Sequence, residues 1–346
     1  MKPVLSLFRL GFSALVPLAL IACGSDPETK TTSLPSEKSH VPLNDAPSPS
    51  ETVGGVSETN ESVSISTLDS SVPTEPRVEL LEKPRPAPTA SRSEAEIQEI
   101  LRKTNPGYQG QGVFHRDPSG QEIIKAEFPP CGIRDLAALK GAKLKILYLT
   151  GNPITDLRHL RNMPLEELAL ENTEIADLRP LQGMPLGKLW LNQCSRLRSL
   201  AGLEGIQIQE LYLPGTQVSD LTPLQGMPLR GLWLTGAPVT DLKPLANSTL
   251  VSLTLHRTKV SDLSVISDLP FLQRLHIGES KVTDLTPLKG MSLTRLVFTP
   301  KNIQKGIEQA RRLRGLNEIG TRFDDEAREL TPPAAFWSRY DAGVFK

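Results

Sequence analysis

The chain has 346 residues with 39 basic and 39 acidic side chains, so its formal net charge is zero. This balance argues against a partner held by bulk electrostatic attraction, such as nucleic acid or an anionic membrane surface. Aromatic residues make up only 5% of the chain, whereas there are 30 prolines and 25 glycines. Such a composition indicates many turns, a disordered stretch, or both.

Residues 1–22 have the features of a signal peptide. Lys2 and Arg9 supply positive charge, and the segment 10–22, LGFSALVPLALIA, is made of apolar and small residues. This segment is too short to span a bilayer comfortably. A short apolar stretch behind a basic start is typical of a cleaved secretory signal.

A cysteine directly follows this segment. The sequence Leu20-Ile21-Ala22-Cys23 resembles the lipobox of bacterial lipoproteins. The resemblance implies that the Cys23 thiol receives a diacylglycerol, that the chain is cleaved just before it, and that its new amino group is acylated. Several acyl chains on one residue make a stable membrane anchor. Gly24, rather than Asp, resembles the second mature residue of outer-membrane lipoproteins, which favours the outer over the inner membrane. The alternative is an ordinary signal peptide that happens to contain a cysteine.

Residues 23–90 are predicted to form a disordered tether behind the lipidated Cys23. The stretch is rich in Ser, Thr, Pro and Glu without periodicity, as in the segments TTSLPSEKSH and DAPSPSETVGG. It contains too little apolar surface to offset the entropy of an ordered chain. We expect a flexible spacer that holds a domain away from the membrane; the alternative is a filler without a role.

A repeat of 21 or 22 residues dominates the chain from residue 123 to 301. Each unit follows the pattern L-x-x-L-x-L-x-x-(N/T/C)-x-(I/V)-x-D-L-x-P-L-x-G-M-P, as in residues 165–185. The pattern resembles the leucine-rich repeat in its short bacterial form, like that of internalins. The resemblance implies an α/β solenoid of about nine units. The units are aligned on Ile123, Leu144, Leu165, Leu186, Ile208, Leu229, Leu250, Leu272 and Leu293.

The physics of one unit agrees with this assignment. The L-x-x-L-x-L segment places apolar residues on one side of a short strand, and stacked units bury that side together. An Asp in most units is placed to cap a following α or 3₁₀ turn. One Asp per unit beside leucine argues against a calcium site, which clusters several oxygen ligands. The capping residues are Asp135, Asp156, Asp177, Asp220, Asp241, Asp262 and Asp284.

The open ends of such a stack need caps. Residues 91–122 are predicted to form the N-terminal cap, with a helix begun by a capping box at Ser93 and a hairpin turn at 117–120. Residues 302–346 are predicted to form the C-terminal cap and tail. Here a helix starting at Asn302 is expected to run to Gly315, followed by an aromatic-rich tail.

No arrangement in the sequence indicates an enzyme, a cofactor or a metal. Cys131 and Cys194 occupy the same position three repeats apart, roughly 14 Å by strand spacing, which is too far for a disulfide. We interpret them as free thiols; a redox role is the weaker alternative. His256 and His276 are predicted on the strand face with only Glu279 nearby, which is a poor metal-ligand set.

The variable positions of the concave sheet face form the candidate binding surface. Because neighbouring strands lie about 4.8 Å apart, Trp190, Tyr212 and Trp233 should stand side by side and face solvent. Such aromatic residues suit a protein or peptide partner. The alternatives are a glycan of the cell wall, mere packing in a structural spacer without a ligand, and, less favoured, a wall-polymer hydrolase. The predicted partner-binding residues are Tyr148, Trp190, Tyr212, Trp233, Arg230, His256, Arg257, Arg274 and His276.

Overall fold

The computed structural model describes residues 92–323 and 328–345. The predicted signal peptide, the lipidation site at Cys23 and the tether lie outside the described residues. Among the helices in this part of the chain, none is both long and apolar enough to cross a bilayer.

A single sheet runs through the described residues, and its strand order follows the chain. One strand comes from each predicted repeat unit and pairs in parallel with the next; short antiparallel strands complete both ends. This arrangement confirms the leucine-rich-repeat solenoid. The strands are β1 (Val113–Arg116), β2 (Ile123–Glu127), β3 (Ile146–Tyr148), β4 (Glu167–Ala169), β5 (Lys188–Trp190), β6 (Glu210–Tyr212), β7 (Gly231–Trp233), β8 (Ser252–Thr254), β9 (Arg274–His276), β10 (Arg295–Val297), β11 (Glu318–Phe323) and β12 (Arg328–Thr331).

Short 3₁₀ helices connect most of the strands on the opposite side of the core. Each of the seven predicted capping aspartates accepts the backbone N–H two residues later, over 2.7 to 3.0 Å, and thereby starts such a helix. The capping prediction is confirmed, with 3₁₀ rather than α geometry. The 3₁₀ helices are Ala137–Leu139, Arg158–Leu160, Arg179–Leu181, Thr222–Leu224, Lys243–Leu245, Ser264–Asp268, Thr286–Leu288 and Pro300–Asn302.

The unit that starts at Leu186 departs from this pattern. Within the described residues it has no 3₁₀ helix, in agreement with its lack of the Asp-Leu pair that starts the helix in seven other units. Gly202 stands there with a φ of 102°, and a Cβ at this residue would lie 2.5 Å from the Cα of Arg179. The chain therefore passes unusually close to the preceding unit, which only glycine permits.

The inward leucines of all units form one continuous core. Between the strands and the helical turns, small polar side chains satisfy backbone groups. Asn152 is completely buried; its Oδ1 accepts from the N–H groups of Cys131 and Ile133, and its Nδ2 donates to backbone carbonyls that include that of Leu149. The Sγ of Cys194 lies 3.1 Å from the carbonyl oxygen of Leu170, which accepts its hydrogen bond. Both thiols in the described residues are free.

The N-terminal cap consists of α1 (Glu94–Thr104) and the β1–β2 hairpin. The predicted capping box is confirmed, because the Ser93 backbone N–H donates to the Glu96 carboxylate at 2.7 Å while the Glu96 N–H donates to the Ser93 hydroxyl at 3.3 Å. Antiparallel pairing of β1 with β2 also confirms the hairpin.

The C-terminal cap differs in detail from the sequence prediction. Helix α2 (Ile307–Arg311) begins after Gly306, whose φ is 79°, so the predicted start at Asn302 is wrong. Strand β11 extends the parallel ladder by one further strand, and β12 folds back on it. Helix α3 (Pro333–Asp341) then places Phe336 on the core, where its ring centroid lies 5.7 Å from that of Phe298.

Candidate functional site

Four aromatic side chains form a continuous group on the sheet face that points away from the core. The rings of Trp190 and Tyr212 stack with centroids 5.5 Å apart, and those of Tyr212 and Trp233 stack at 4.0 Å and 3°. Tyr148 meets Trp190 edge to face at 6.2 Å. We call Tyr148, Trp190, Tyr212 and Trp233 the aromatic row.

Parallel register and small neighbours explain how the row is built. Trp190 is paired with Tyr212 and Tyr212 with Trp233 across β5, β6 and β7. The Trp233 indole lies over Gly231 in its own strand, where a Cβ would come within 2.4 Å of the ring. Ala169 separates Tyr148 from Trp190, so their rings can lean together across β4. The stacking therefore depends on small residues beside the large ones.

All four members of the row are half-buried. The predicted juxtaposition of Trp190, Tyr212 and Trp233 is confirmed. Not every variable position of the concave face is open to solvent, because Ala169, His276 and Val297, at the corresponding position of β4, β9 and β10, are buried. The row thus combines ring–ring packing with exposed aromatic surface, and neither tryptophan is enclosed as a purely structural role would require.

Carboxylates fix the two tyrosines of the row. The Tyr148 hydroxyl donates to Glu167 at 3.0 Å, and the Tyr212 hydroxyl donates to Glu210 at 2.9 Å. Burial, followed by the neighbouring carboxylate, raises the pKa of both phenols well above the ordinary 10. Both tyrosines are therefore neutral hydrogen-bond donors throughout the physiological range.

Glu171 is a residue of this face that the sequence analysis missed. It follows Glu167 and Ala169 with the alternating spacing of β4, but it lies beyond the end of the strand. Its carboxylate accepts from the Thr150 hydroxyl at 3.1 Å and from the Asn192 amide at 2.8 Å. The side chain is half-buried, and burial raises the pKa of its carboxyl group. The alternation continuing past the strand was the signal that could have revealed it.

The two histidines predicted for the binding surface do not face solvent. His256 is 2% exposed and His276 is 6% exposed, with their rings stacked at 4.7 Å. The Nδ1 of His256 lies 2.9 Å from the carbonyl oxygen of Gly278. A Cβ at residue 278 would come within 3.0 Å of the His276 ring, so the glycine makes room for both imidazoles. Their prediction as exposed contact residues is wrong for this reason.

The predicted arginines lie in or beside strands β7, β8 and β9, at the Trp233 end of the aromatic row. Arg230, Arg257 and Arg274 are exposed, and the Nε of Arg257 donates to Glu279 at 2.9 Å. His256 also lies 3.9 Å from Glu279. In residues 92–323 and 328–345, no three His, Cys, Asp or Glu side chains converge as a metal site would require. Burial raises the pKa of the Cys131 and Cys194 thiols, which opposes formation of the nucleophilic thiolates.

Comparisons with known proteins identify the fold. No protein-family model matches the chain. No curated protein matches it either. A solved internalin of Listeria monocytogenes is 25% identical, with 65% of this chain and 73% of that one covered and a TM-score of 0.48. Internalin C2 of the same organism is 25% identical, with 59% and 92% covered and a TM-score of 0.50.

A leucine-rich-repeat protein of Leptospira interrogans is 20% identical, with 53% of this chain and 62% of that one covered and a TM-score of 0.30. The parallel ladder of short strands and 3₁₀ turns, together with the similarity to internalin C2, is decisive. The chain has a solenoid-like leucine-rich-repeat fold, which in general serves as a protein-interaction module.

Proposed function

We propose that this chain is a non-enzymatic, lipid-anchored protein of the bacterial envelope, which binds a partner protein or peptide through the aromatic row. The lipid on Cys23 attaches it to a membrane, with the outer membrane favoured over the inner, and residues 23–90 act as the tether. Neither a cofactor nor nucleic acid is part of this function.

The observation that carries the proposal is the half-exposed aromatic row itself. Three of its rings form one continuous stack, so a partner meets a rigid surface that loses little side-chain entropy on binding. Tryptophan and tyrosine dominate the binding energy of protein interfaces. Because only three tryptophans occur in the whole chain, two of them on one face indicate a dedicated surface.

A protein partner is favoured over a glycan by how the rings are oriented. Sugars stack on the open face of an aromatic ring, whereas Tyr212 has both faces covered by Trp190 and Trp233. The stacked part of the row therefore offers mainly ring edges and the flanking charges. These features match the apolar and charged side chains of a protein better than the flat face of a sugar.

A hydrolase is the weaker alternative because two cavities lined by described residues, one beside each cap, lack paired carboxylates. The cavity against α1, about 480 Å³, is lined by Glu94, Arg102 and Arg116 among others, and contains a single carboxylate. The cavity of about 280 Å³ beside α2 is lined by Lys289, Arg312 and Arg314 and no acidic residue. Glycoside hydrolysis usually requires two carboxyl groups facing one bond.

Lipidation is tested by a Cys23→Ala substitution in the full chain. The native protein is expected in the membrane fraction and in the detergent phase after phase separation, whereas the substituted protein, which lacks the thiol, is not acylated. Mass spectrometry of the N-terminal peptide identifies the acyl groups. An unmodified Cys23 in membrane-extracted protein would contradict this part of the proposal.

Partner binding is tested by affinity capture from detergent-solubilised envelopes with the full chain as bait. A Trp190→Ala, Trp233→Ala double variant should lose the partner, because it removes two of the three stacked rings. Phe271→Ala is the matched control, since Phe271 is 58% exposed and lies outside the row. Circular dichroism verifies that each bait is folded.

The outcomes separate the alternatives. If the native and control baits retain a partner that the folded double variant loses, recognition through the aromatic row is supported. Capture that is equal for all three baits contradicts it. Empty captures together with binding to purified wall glycan favour the glycan alternative, and empty captures without glycan binding favour the spacer.

A further inference from the structure

The surroundings of Trp190 contain an excess of hydrogen-bond acceptors. Glu167 lies in β4, Glu171 lies two residues beyond the end of β4, and Glu210 lies in β6, so the two strands that flank β5 carry three carboxylates near Trp190 in the sheet register. Among the described residues, the ion pair recorded for these three carboxylates is that of Glu167 with Lys188, whose Nζ lies 3.7 Å away. This end of the aromatic row is therefore negative, whereas the exposed Arg230 and Arg274 make the other end positive.

Glu171 is the least compensated of these carboxylates. Both of its hydrogen bonds come from neutral groups, the Thr150 hydroxyl and the Asn192 amide. In residues 92–323 and 328–345, no ion pair involves Glu171, and no neighbouring cation offsets the burial that raises its pKa. A half-buried carboxylate without a cation is an unfavourable arrangement that a cationic ligand would relieve.

Asn192 adds to this acceptor excess. Its Nδ2 is fixed as the atom that faces Glu171, because a carboxylate accepts and cannot donate. Its Oδ1 is enclosed and has no hydrogen-bond donor among the described residues. A partial negative charge thus lies beside Glu171 on the same edge of the row.

We propose that the partner inserts a lysine or arginine side chain beside Trp190, where its cationic head pairs with Glu171. This inference rests on the proposed function and specifies what the aromatic row recognises. Glu171 and Trp190 are diagonal neighbours on adjacent strands. Their Cα atoms are therefore about 7 to 8 Å apart, a distance that one long side chain spans. The aliphatic stem lies against the indole while the charge reaches the carboxylate.

The same face already shows this type of contact within the chain. The Nζ of Lys125 lies 5.0 Å from the centre of the Tyr148 ring, close to Glu127 at 2.9 Å. That lysine, its carboxylate and the aromatic ring form an occupied version of the arrangement. Glu171 and Trp190 present the carboxylate and the ring without the lysine.

The inference is tested with full-chain protein carrying ¹⁵N-labelled tryptophan. Its three indole N–H signals are assigned with a Trp337→Phe variant and a Trp233→Phe variant. The probes are N-acetyl-lysinamide and N-acetyl-norleucinamide, which has the same four-carbon side chain but lacks the terminal ammonium group. We expect the lysine probe to shift the Trp190 signal and to bind about fivefold more tightly than the norleucine probe, the ratio of one favourable ion pair.

Two further variants assign this preference to its residue. Glu171→Gln keeps one acceptor oxygen, replaces the other with a donor NH₂ of similar size and removes the charge, so it should abolish the preference for lysine. Glu308→Gln removes one exposed negative charge from the C-terminal cap and should preserve the preference. Equal affinity for both probes, absence of any shift at Trp190, or a preference unchanged by Glu171→Gln overturns the inference.

The captured partner distinguishes this inference from the proposed function. If the partner requires Trp190 and Trp233 but is retained equally by Glu171→Gln, the lysine subsite is wrong and the proposed function stands. If retention depends on neither tryptophan, the proposed function is wrong and the subsite falls with it. A Trp190 shift produced by a neutral oligosaccharide and by neither amino-acid probe also overturns the inference and favours a glycan.

Discussion

At the scale of single residues, the polar position after each strand has a structural task. Asn152, Thr173, Cys194, Thr216 and Thr258 occupy this position in five of the units, and each bonds a backbone carbonyl of its own or the preceding unit. The residue types made this role predictable. The amide of Asn152 does more than the hydroxyls, because it can donate and accept at once.

Replacing Asn152 with Ala should destabilise the fold strongly. The N–H groups of Cys131 and Ile133 would lose their acceptor in a buried site, at about 3 kcal/mol of unfolding free energy in total. Urea denaturation followed by circular dichroism measures the change. Asn317→Ala is the control, since Asn317 is exposed and should tolerate the change within about 0.5 kcal/mol. Equal stability of the two variants would refute the structural role of Asn152.

Glu171 should lower stability at neutral pH. Burial raises its pKa in the folded protein above the ordinary 4.5, so the folded state holds the proton more tightly than the unfolded chain. Its contribution to stability is therefore full below pH 4.5 and is lost as the pH rises through the folded-state pKa. Glu171→Gln should be more stable than the native protein at pH 7, with the difference vanishing below pH 4.5.

The measurement is urea denaturation of both proteins across this pH range. A variant that is less stable than the native protein at pH 7 would show that the carboxylate is compensated, contrary to the geometry. If Glu171→Gln is more stable than the native protein at pH 7, Glu171 lowers the stability of the fold, as expected for a group placed to bind a ligand.

The candidate site was predictable only in part at this scale. The period of two along each strand placed the aromatic side chains on one face, because strand register follows directly from the repeat. Burial of His256 and His276 was not predictable, because it depends on the space that Gly278 leaves one unit further on. The role of Glu171 was not predicted because its hydrogen-bond partners, Thr150 and Asn192, belong to the two neighbouring units.

At the scale of elements, the Asp-Leu segment, often followed by x-Pro, decides where seven of the described 3₁₀ helices form. Proline in its first turn loses no hydrogen bond, and the Asp carboxylate satisfies the first free N–H. These local signals made the repeats predictable. The start of α2 was misjudged because Asn302 closes a separate 3₁₀ turn, and the left-handed Gly306 then redirects the chain.

The unit without a 3₁₀ helix provides a test of close backbone packing. Gly202 and Gly205 both have a positive φ, but only Gly202 lies against the preceding unit. Gly205→Ala should cost about 1 kcal/mol for the left-handed backbone. Gly202→Ala adds a clash with the Arg179 backbone and should cost about 3 kcal/mol in total. Thermal denaturation compares them, and equal costs would contradict the close approach of these two units.

At the scale of the described solenoid, stability comes from contacts between neighbouring units and from the caps. Helix α3 covers the last unit, where Phe336 is 1% exposed and contacts Phe298, Trp337 and Phe345. The need for a cap was predictable from the open end of a stack. The shape of the cap was not, since it depends on pairing between strands β11 and β12 that share no repeat pattern.

Removing the ring of Phe336 should weaken the C-terminal end. Phe336→Ala leaves a cavity against the last core layer and should lower the unfolding free energy by about 3 kcal/mol. Hydrogen exchange should show that backbone amides lose protection first in β10 and β11, whereas the N-terminal units should keep their protection. Phe271→Ala, at an exposed ring, is the control with an expected change below about 0.5 kcal/mol. Uniform loss of protection along the solenoid would contradict cap-limited stability.

The central claim is that the aromatic row makes the contact with a partner. Hydroxyl-radical footprinting of the full chain, free and bound to its captured partner, tests this most directly. We predict that oxidation of Trp190, Tyr212 and Trp233 decreases on binding while oxidation of Trp337 in the cap is unchanged. Unchanged oxidation of the row, with protection of another surface, would contradict the account.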